Sequence, residues 1–104
     1  MEYRLMNEYT VDWPLWRDDG GAPEGEPELS ERLAAQVRDW AATFNELYSY
    51  KTGWPDARTC QAQRAEGEHL AAAIARELGP DDSIELDFWE TAHAGRNDRG
   101  TRRR

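Results

Sequence analysis

The chain has 104 residues, 33% of them charged and 38% hydrophobic, with a net charge of −8, which suits one small domain and excludes a second core. No apolar run approaches the roughly 18 residues of a membrane-spanning helix, and Met1-Glu2-Tyr3-Arg4 lacks the basic and apolar regions of a secretory signal. A single cysteine, Cys60, cannot close an intramolecular disulfide, so the expected compartment is a reducing cytoplasm.

The charge is unevenly spread. Residues 96–104 carry five arginines against one aspartate, a charge of +4, so residues 1–95 hold −12. An acidic body repels phosphates and anionic lipid, which argues against nucleic-acid and membrane partners; only the arginine tail can contact nucleic acid.

From Glu2 to Trp13 the odd positions read Tyr3, Leu5, Asn7, Tyr9, Val11 and Trp13, and the even ones are mostly polar. This period of two predicts a half-buried strand that ends near Pro14, which cannot donate to a ladder. Residues 18–28 combine Gly, Pro and five acids, a composition that predicts a mobile acidic loop.

Ser30 offers an N-cap with Glu31 in the first turn. Leu29, Leu33, Val37, Trp40, Phe44, Leu47 and Tyr48 then form one apolar stripe, predicting a helix over about 31–50. Gly53-Trp54-Pro55 breaks it, and Asp56 caps a second helix whose face carries Cys60, Gly67, Leu70, Ala71, Ile74 and Leu78 before Gly79-Pro80. Gly67 costs about 1 kcal/mol relative to alanine inside a helix, so close approach of Trp40 or Phe44 is expected there. Ile84, Leu86 and Phe88 alternate with Glu85 and Asp87, predicting a final strand; residues 92–104 read as a disordered basic tail.

The expected fold class is therefore α+β, ordered strand-helix-helix-strand, with a two-stranded antiparallel sheet packed on a helical hairpin. Residues 1–91 form the single domain. Two free strand edges favour extension of the sheet by a homodimer that buries Trp13, Trp16 or Trp89.

The early Asp-Trp-Pro-Leu-Trp at 12–16, Leu29-Ser30, Trp40, Gly53-Trp54, Glu66-Gly67 leading into Leu70-Ala71, and Glu77-Leu78-Gly79 resemble a group of small uncharacterised proteins of high-GC bacteria. Arginine outnumbering lysine twelve to one agrees with a GC-rich genome. The resemblance spans about residues 3–90 and implies a compact α+β domain; its motifs are packing residues and imply no catalytic site.

Chemistry-bearing patterns are weak. Cys60 has no histidine close by in sequence, since His69 lies nine residues on and His93 adjoins the tail, so it reads as a small buried side chain. One cysteine and two histidines do not make a zinc set, and neither phosphate-loop pattern is present. No catalytic residue, metal or cofactor is expected. Trp40 belongs to the core, while Trp13, Trp16, Trp54 and Trp89 fall at element ends, Trp16 being the most exposed by its position beside Arg17 and the acidic loop.

The informative feature is acid without nearby base: Glu85 and Asp87 share the outer sheet face with Glu2, Glu8 and Asp12, opposed only by Arg4. Like charges on paired strands destabilise by up to about 1 kcal/mol, so the arrangement needs a reason. Edge protection and solubility are one; docking of a basic protein through Glu8, Asp12, Trp16, Glu85 and Asp87 is the other. The leading reading is a non-enzymatic acidic protein-binding or regulatory module of antitoxin, immunity or inhibitor type. The alternative is a small enzyme or ligand carrier with a pocket between helices and sheet.

Overall fold

The computed structural model describes residues 1–94. In chain order it contains β1 (Glu2–Leu5), β2 (Leu15–Arg17), β3 (Gly20–Gly21), α1 (Glu31–Leu47), α2 (Ala57–Leu78) and β4 (Ser83–Leu86). The strands form one four-stranded mixed sheet in the order β3-β2-β1-β4. The α+β class stands, while the two-stranded antiparallel sheet is corrected: β1 pairs antiparallel with β2 but parallel with β4, with Tyr3 opposite Ile84 and Leu5 opposite Leu86.

The correction has a simple topological cause. Period two runs on to Trp13, but the chain leaves the strand after Leu5 and turns back at Thr10, whose φ of 67° is left-handed. The Thr10 N–H donates to Asn45 Oδ1 at 2.8 Å, and Asn45 Nδ2 donates to the Val11 carbonyl at 3.0 Å, so α1 holds the turn. β2 then returns the chain to its starting end. β3 reverses it once more, so the helices are entered from the far edge of the sheet and not from the end of β1, and the antiparallel pairing inferred from a direct strand-helix-helix-strand path does not hold. Tyr9 and Val11 accordingly lie in the connection and not on the inner sheet face.

Both helices start at the expected caps. Ser30 Oγ accepts from the Leu33 N–H, and Asp56 accepts from the Thr59 N–H, meeting orphan donors of the first turn. Glu77 near the end of α2 receives both the N–H and the hydroxyl of Ser30 at 2.8 Å. These bonds hold its carboxyl below the usual range and fix α1's start against α2's end. α1 ends at Leu47, short of the expected 50, because Tyr48 is already extended.

The 18–28 segment carries β3 and is linked to the core mainly through Glu26. Its carbonyl accepts the Trp13 indole N–H at 2.8 Å, and its carboxylate meets Tyr3 Oη at 3.3 Å and Arg17 Nη1 at 3.2 Å. At the other end, Trp54 donates to the Ala92 carbonyl and Ala94 donates to that of Trp54. Of the tail, residues 95–104 lie outside the described residues.

Tyr3, Leu5, Trp13 and Leu15 from the sheet side meet Leu33, Val37 and Trp40 of α1 and Leu70 and Ile74 of α2 in one core. At its centre Gly67 is the point where three elements converge. A Cβ there would lie 2.9 Å from Trp40 Cζ2 and 3.2 Å from Leu86 Cδ1, and the Trp40 ring cannot swing freely because its N–H donates to the Gln63 carbonyl at 2.9 Å. Close approach thus explains a glycine inside a 22-residue helix. Gly67→Leu is expected to lower stability by roughly 1–3 kcal/mol despite better helix propensity; urea unfolding with unchanged or raised stability would disprove the contact.

Candidate partner-binding surface

On the outer face of the sheet, Trp16, Arg4 and Glu85 stand opposite one another across β2, β1 and β4. Together with Glu2, Arg17 and Asp18 they line a shallow cleft of about 50 Å³. Arg4 therefore sits between the acid of β4 and the indole of β2, and Glu2 faces Ser83, so the like-charge stacking expected along the strands is largely relieved. Trp16 is half-buried, its indole donating to the Met6 carbonyl at 2.8 Å. It is not the most exposed tryptophan; Trp89 is, at 36%.

The structure brings Trp16 and Glu85 into one row and places the other three expected residues elsewhere. Glu8 and Asp12 belong to the connection between β1 and β2, half-buried and exposed respectively, and Asp87 follows β4, where its N–H donates to the Leu5 carbonyl. Glu8, next to Tyr9, and Asp87, which acts on Glu90, adjoin a feature that sequence reading missed.

That feature is an aromatic cluster at the C-terminal end of α1. Tyr48 stacks on Phe44 with centroids 5.2 Å apart, and Trp54 and Trp89 meet Tyr48 edge-on at 5.1 and 5.6 Å. Tyr9 completes it, 5.3 Å from Phe44 and 5.9 Å from Trp89. Phe44 and Trp54 are fully buried, whereas Tyr9 is 39% exposed and Tyr50, in the turn after α1, is 79% exposed. Burial, then the nearby carboxylates of Glu8 and Glu90, push the Tyr9 hydroxyl above its ordinary range.

Behind the rings lies a buried polar couple. Asn7 Nδ2 donates to Glu90 Oε2 at 2.9 Å, and both residues are fully buried. Asn7 Oδ1 and Glu90 Oε1 have no partner, so with Glu90 ionised the couple holds two buried acceptors without a donor. Burial raises the Glu90 pKa, against the downward pull of Asn7 and of the main-chain N–H groups of Glu90 and Trp89. Nearby main-chain carbonyls serve as acceptors for the indoles: Trp54 donates to that of Glu90 and Trp89 to that of Asn7, each at 2.8 Å.

A family model described as Serratia CdiI immunity protein-like matches residues 1–90. The chain belongs to this family. No curated protein matches it. The Serratia CdiI immunity protein-like match over residues 1–90 includes the stretch of about 3–90 that carries the resemblance to small α+β proteins.

In this family member the space between helices and sheet, where a ligand pocket was the alternative, is filled by Trp40, Leu70, Ile74 and their neighbours. A groove of about 160 Å³ lies instead between the helices, lined by Gln36, Asp39, Trp40, Thr43, Gln63 and Glu66. Cys60 is half-buried, with its thiol directed to the Thr91 carbonyl at 3.7 Å. No described helix is long and apolar enough to cross a membrane.

Two outcomes follow for the cluster. A carboxyl whose folded pKa lies above its unfolded one binds its proton more tightly in the folded state, so it lowers stability above the folded pKa and ceases to do so below the ordinary value of 4.5. Glu90→Gln, which brings its own amide donor, should therefore be more stable than the parent at pH 7, with the advantage fading as pH falls towards 4.5. Denaturant titrations of both proteins across that window check this, and equal stability throughout contradicts it. Trp54→Phe keeps most of the ring but leaves the Glu90 carbonyl with only the Cys60 thiol at 4.0 Å, and should cost about 1–3 kcal/mol by the same measurement.

Proposed function

We propose that this protein is an immunity-type binding module that neutralises a protein toxin by occupying it, without chemistry of its own. The family match over residues 1–90 carries this reading. The partner's contact surface is basic, because residues 1–95 hold a charge of −12 and such a body meets positive potential favourably and repels anionic partners. Glu85 with Trp16 on the sheet row, Glu8 and Asp87 beside the aromatic end, and Asp12 in the connection between β1 and β2 contribute to the docking face.

The test begins with affinity capture on the full chain in its native cell and purification of the captured protein. That protein should be toxic when produced alone and harmless when produced with this chain. Its affinity should fall steeply with salt, since the screening length is already about 8 Å at 0.15 M. A captured protein that is harmless alone refutes the toxin reading. Unchanged affinity after charge reversal at Glu85 and Asp87 would reduce those acids to solvated surface.

The free edges β3 and β4 leave open the sheet-extending homodimer. Light scattering at high micromolar concentration decides it, a mass of 12.0 kDa meaning monomer.

A further inference from the structure

Among the described residues, the large hydrophobic side chains left exposed are Met1, Tyr9, Leu47, Tyr50 and Trp89. All but Met1 belong to the aromatic cluster or to the C-terminal end of α1 and the turn that follows. The same chain buries Trp40 and Trp54 almost completely, so the open rings of Tyr9 and Trp89 are not a shortage of core. An apolar patch of this kind on a charged molecule marks an interaction site.

The patch is also rigid. Thr10 holds a left-handed backbone that a β-branched residue rarely adopts, and its bond to Asn45 fixes the turn that presents Tyr9. Trp89 is held from behind by the Asn7 carbonyl. Rings fixed before contact lose little conformational freedom on binding, and strain of this sort collects at functional positions.

Its electrostatics select the occupant. Glu8 and Glu90 both act on Tyr9, and Asp87 acts on Glu90; Lys51, next to Tyr50 in sequence, already sets its Nζ 5.8 Å from that ring's centroid. Ring faces attract cations, and carboxylates beside them add to that attraction. A second copy would bring like charge against like, and a phosphate backbone would be repelled.

We propose that Tyr9, Trp89 and Tyr50, flanked by Glu8 and Asp87, form the anchor on which the protein partner seats arginine or lysine side chains. This rests on the toxin-binding reading and assigns the holding contacts to the aromatic end, leaving the Glu85 row of the sheet as a rim that steers approach. Central aromatic anchors dominate dissociation, whereas rim charges mainly set association rate and salt dependence.

The experiment uses the full chain and the purified captured protein, measured by surface plasmon resonance. Tyr9→Ala and Tyr50→Ala together should weaken binding about 30-fold or more, mainly through faster dissociation. Glu85→Lys should change dissociation less than about threefold while slowing association. Tyr50→Ala alone serves as the second variant should Tyr9→Ala disturb the fold, since Tyr50 is 79% exposed, and should cost about fivefold. Circular dichroism melts verify folding. Patch variants that bind like the parent overturn the assignment while leaving the toxin reading intact, and absence of any toxic partner overturns both. Should Tyr9→Ala instead convert a dimer to a monomer with partner affinity unchanged, the patch belongs to a second copy and the proposal falls.

Discussion

Each of the five tryptophans donates its indole N–H to a main-chain carbonyl: Trp13 to Glu26, Trp16 to Met6, Trp40 to Gln63, Trp54 to Glu90 and Trp89 to Asn7, all at 2.8–2.9 Å. The rest of the fold depends on this arrangement. No strand among the described residues exceeds four residues, so much of the backbone near the core lies outside ladders and helices. Buried carbonyls without donors are costly. An indole supplies both a large apolar surface and one donor, and thus packs the core while satisfying the loop beside it. A small domain with limited core gains on both counts.

Sequence periodicity revealed those parts of the fold whose determinants are local. The apolar stripe from Leu33 to Phe44, the caps at Ser30 and Asp56, and the stop at Gly79 all follow from contacts within a turn or two. Gly67 was legible for a related reason: a helix interior penalises glycine unless a neighbour occupies its missing side chain, and Trp40 does. Strand pairing was not legible. Alternation continues past Leu5 although the strand ends there, because the turn at Thr10 is held by Asn45, thirty-five residues away. Two strands inserted between β1 and α1 were unseen, and with them the path that makes β4 parallel to β1.

The surface was harder to read than the core, and Asn7 shows why. It occupies an inward position of an otherwise apolar alternation, and a buried polar side chain requires a partner. The requirement was visible in the sequence, but the partner was not. Glu90 lies 83 residues on, within a stretch whose acids read as solvent-facing. Only the parallel pairing of β1 with β4 sets the chain after Leu86 beside the chain after Leu5. The aromatic end escaped notice for the same reason: Tyr9, Phe44, Tyr48, Trp54 and Trp89 come from four segments, and no local spacing groups them.

Net charge by itself locates nothing, and the structure divides the acids by what they already hold. Glu77 is engaged with the α1 cap, Glu26 with Tyr3, Arg17 and Trp13, and Glu90 with Asn7; removing any of these carboxylates acts first on the fold. Glu85 and Asp12 are exposed, and ions already in water surrender less hydration to a partner than buried ones would. An acidic surface therefore supplies long-range attraction through its exposed members alone, within a reach of about 8 Å at physiological salt. Holding a partner after encounter calls for desolvated contact area, which isolated surface carboxylates do not provide. Among the described residues, the open rings at the end of α1 combine that area with acid on their flanks, so the physical demands of approach and of retention fall on neighbouring but different parts of the molecule.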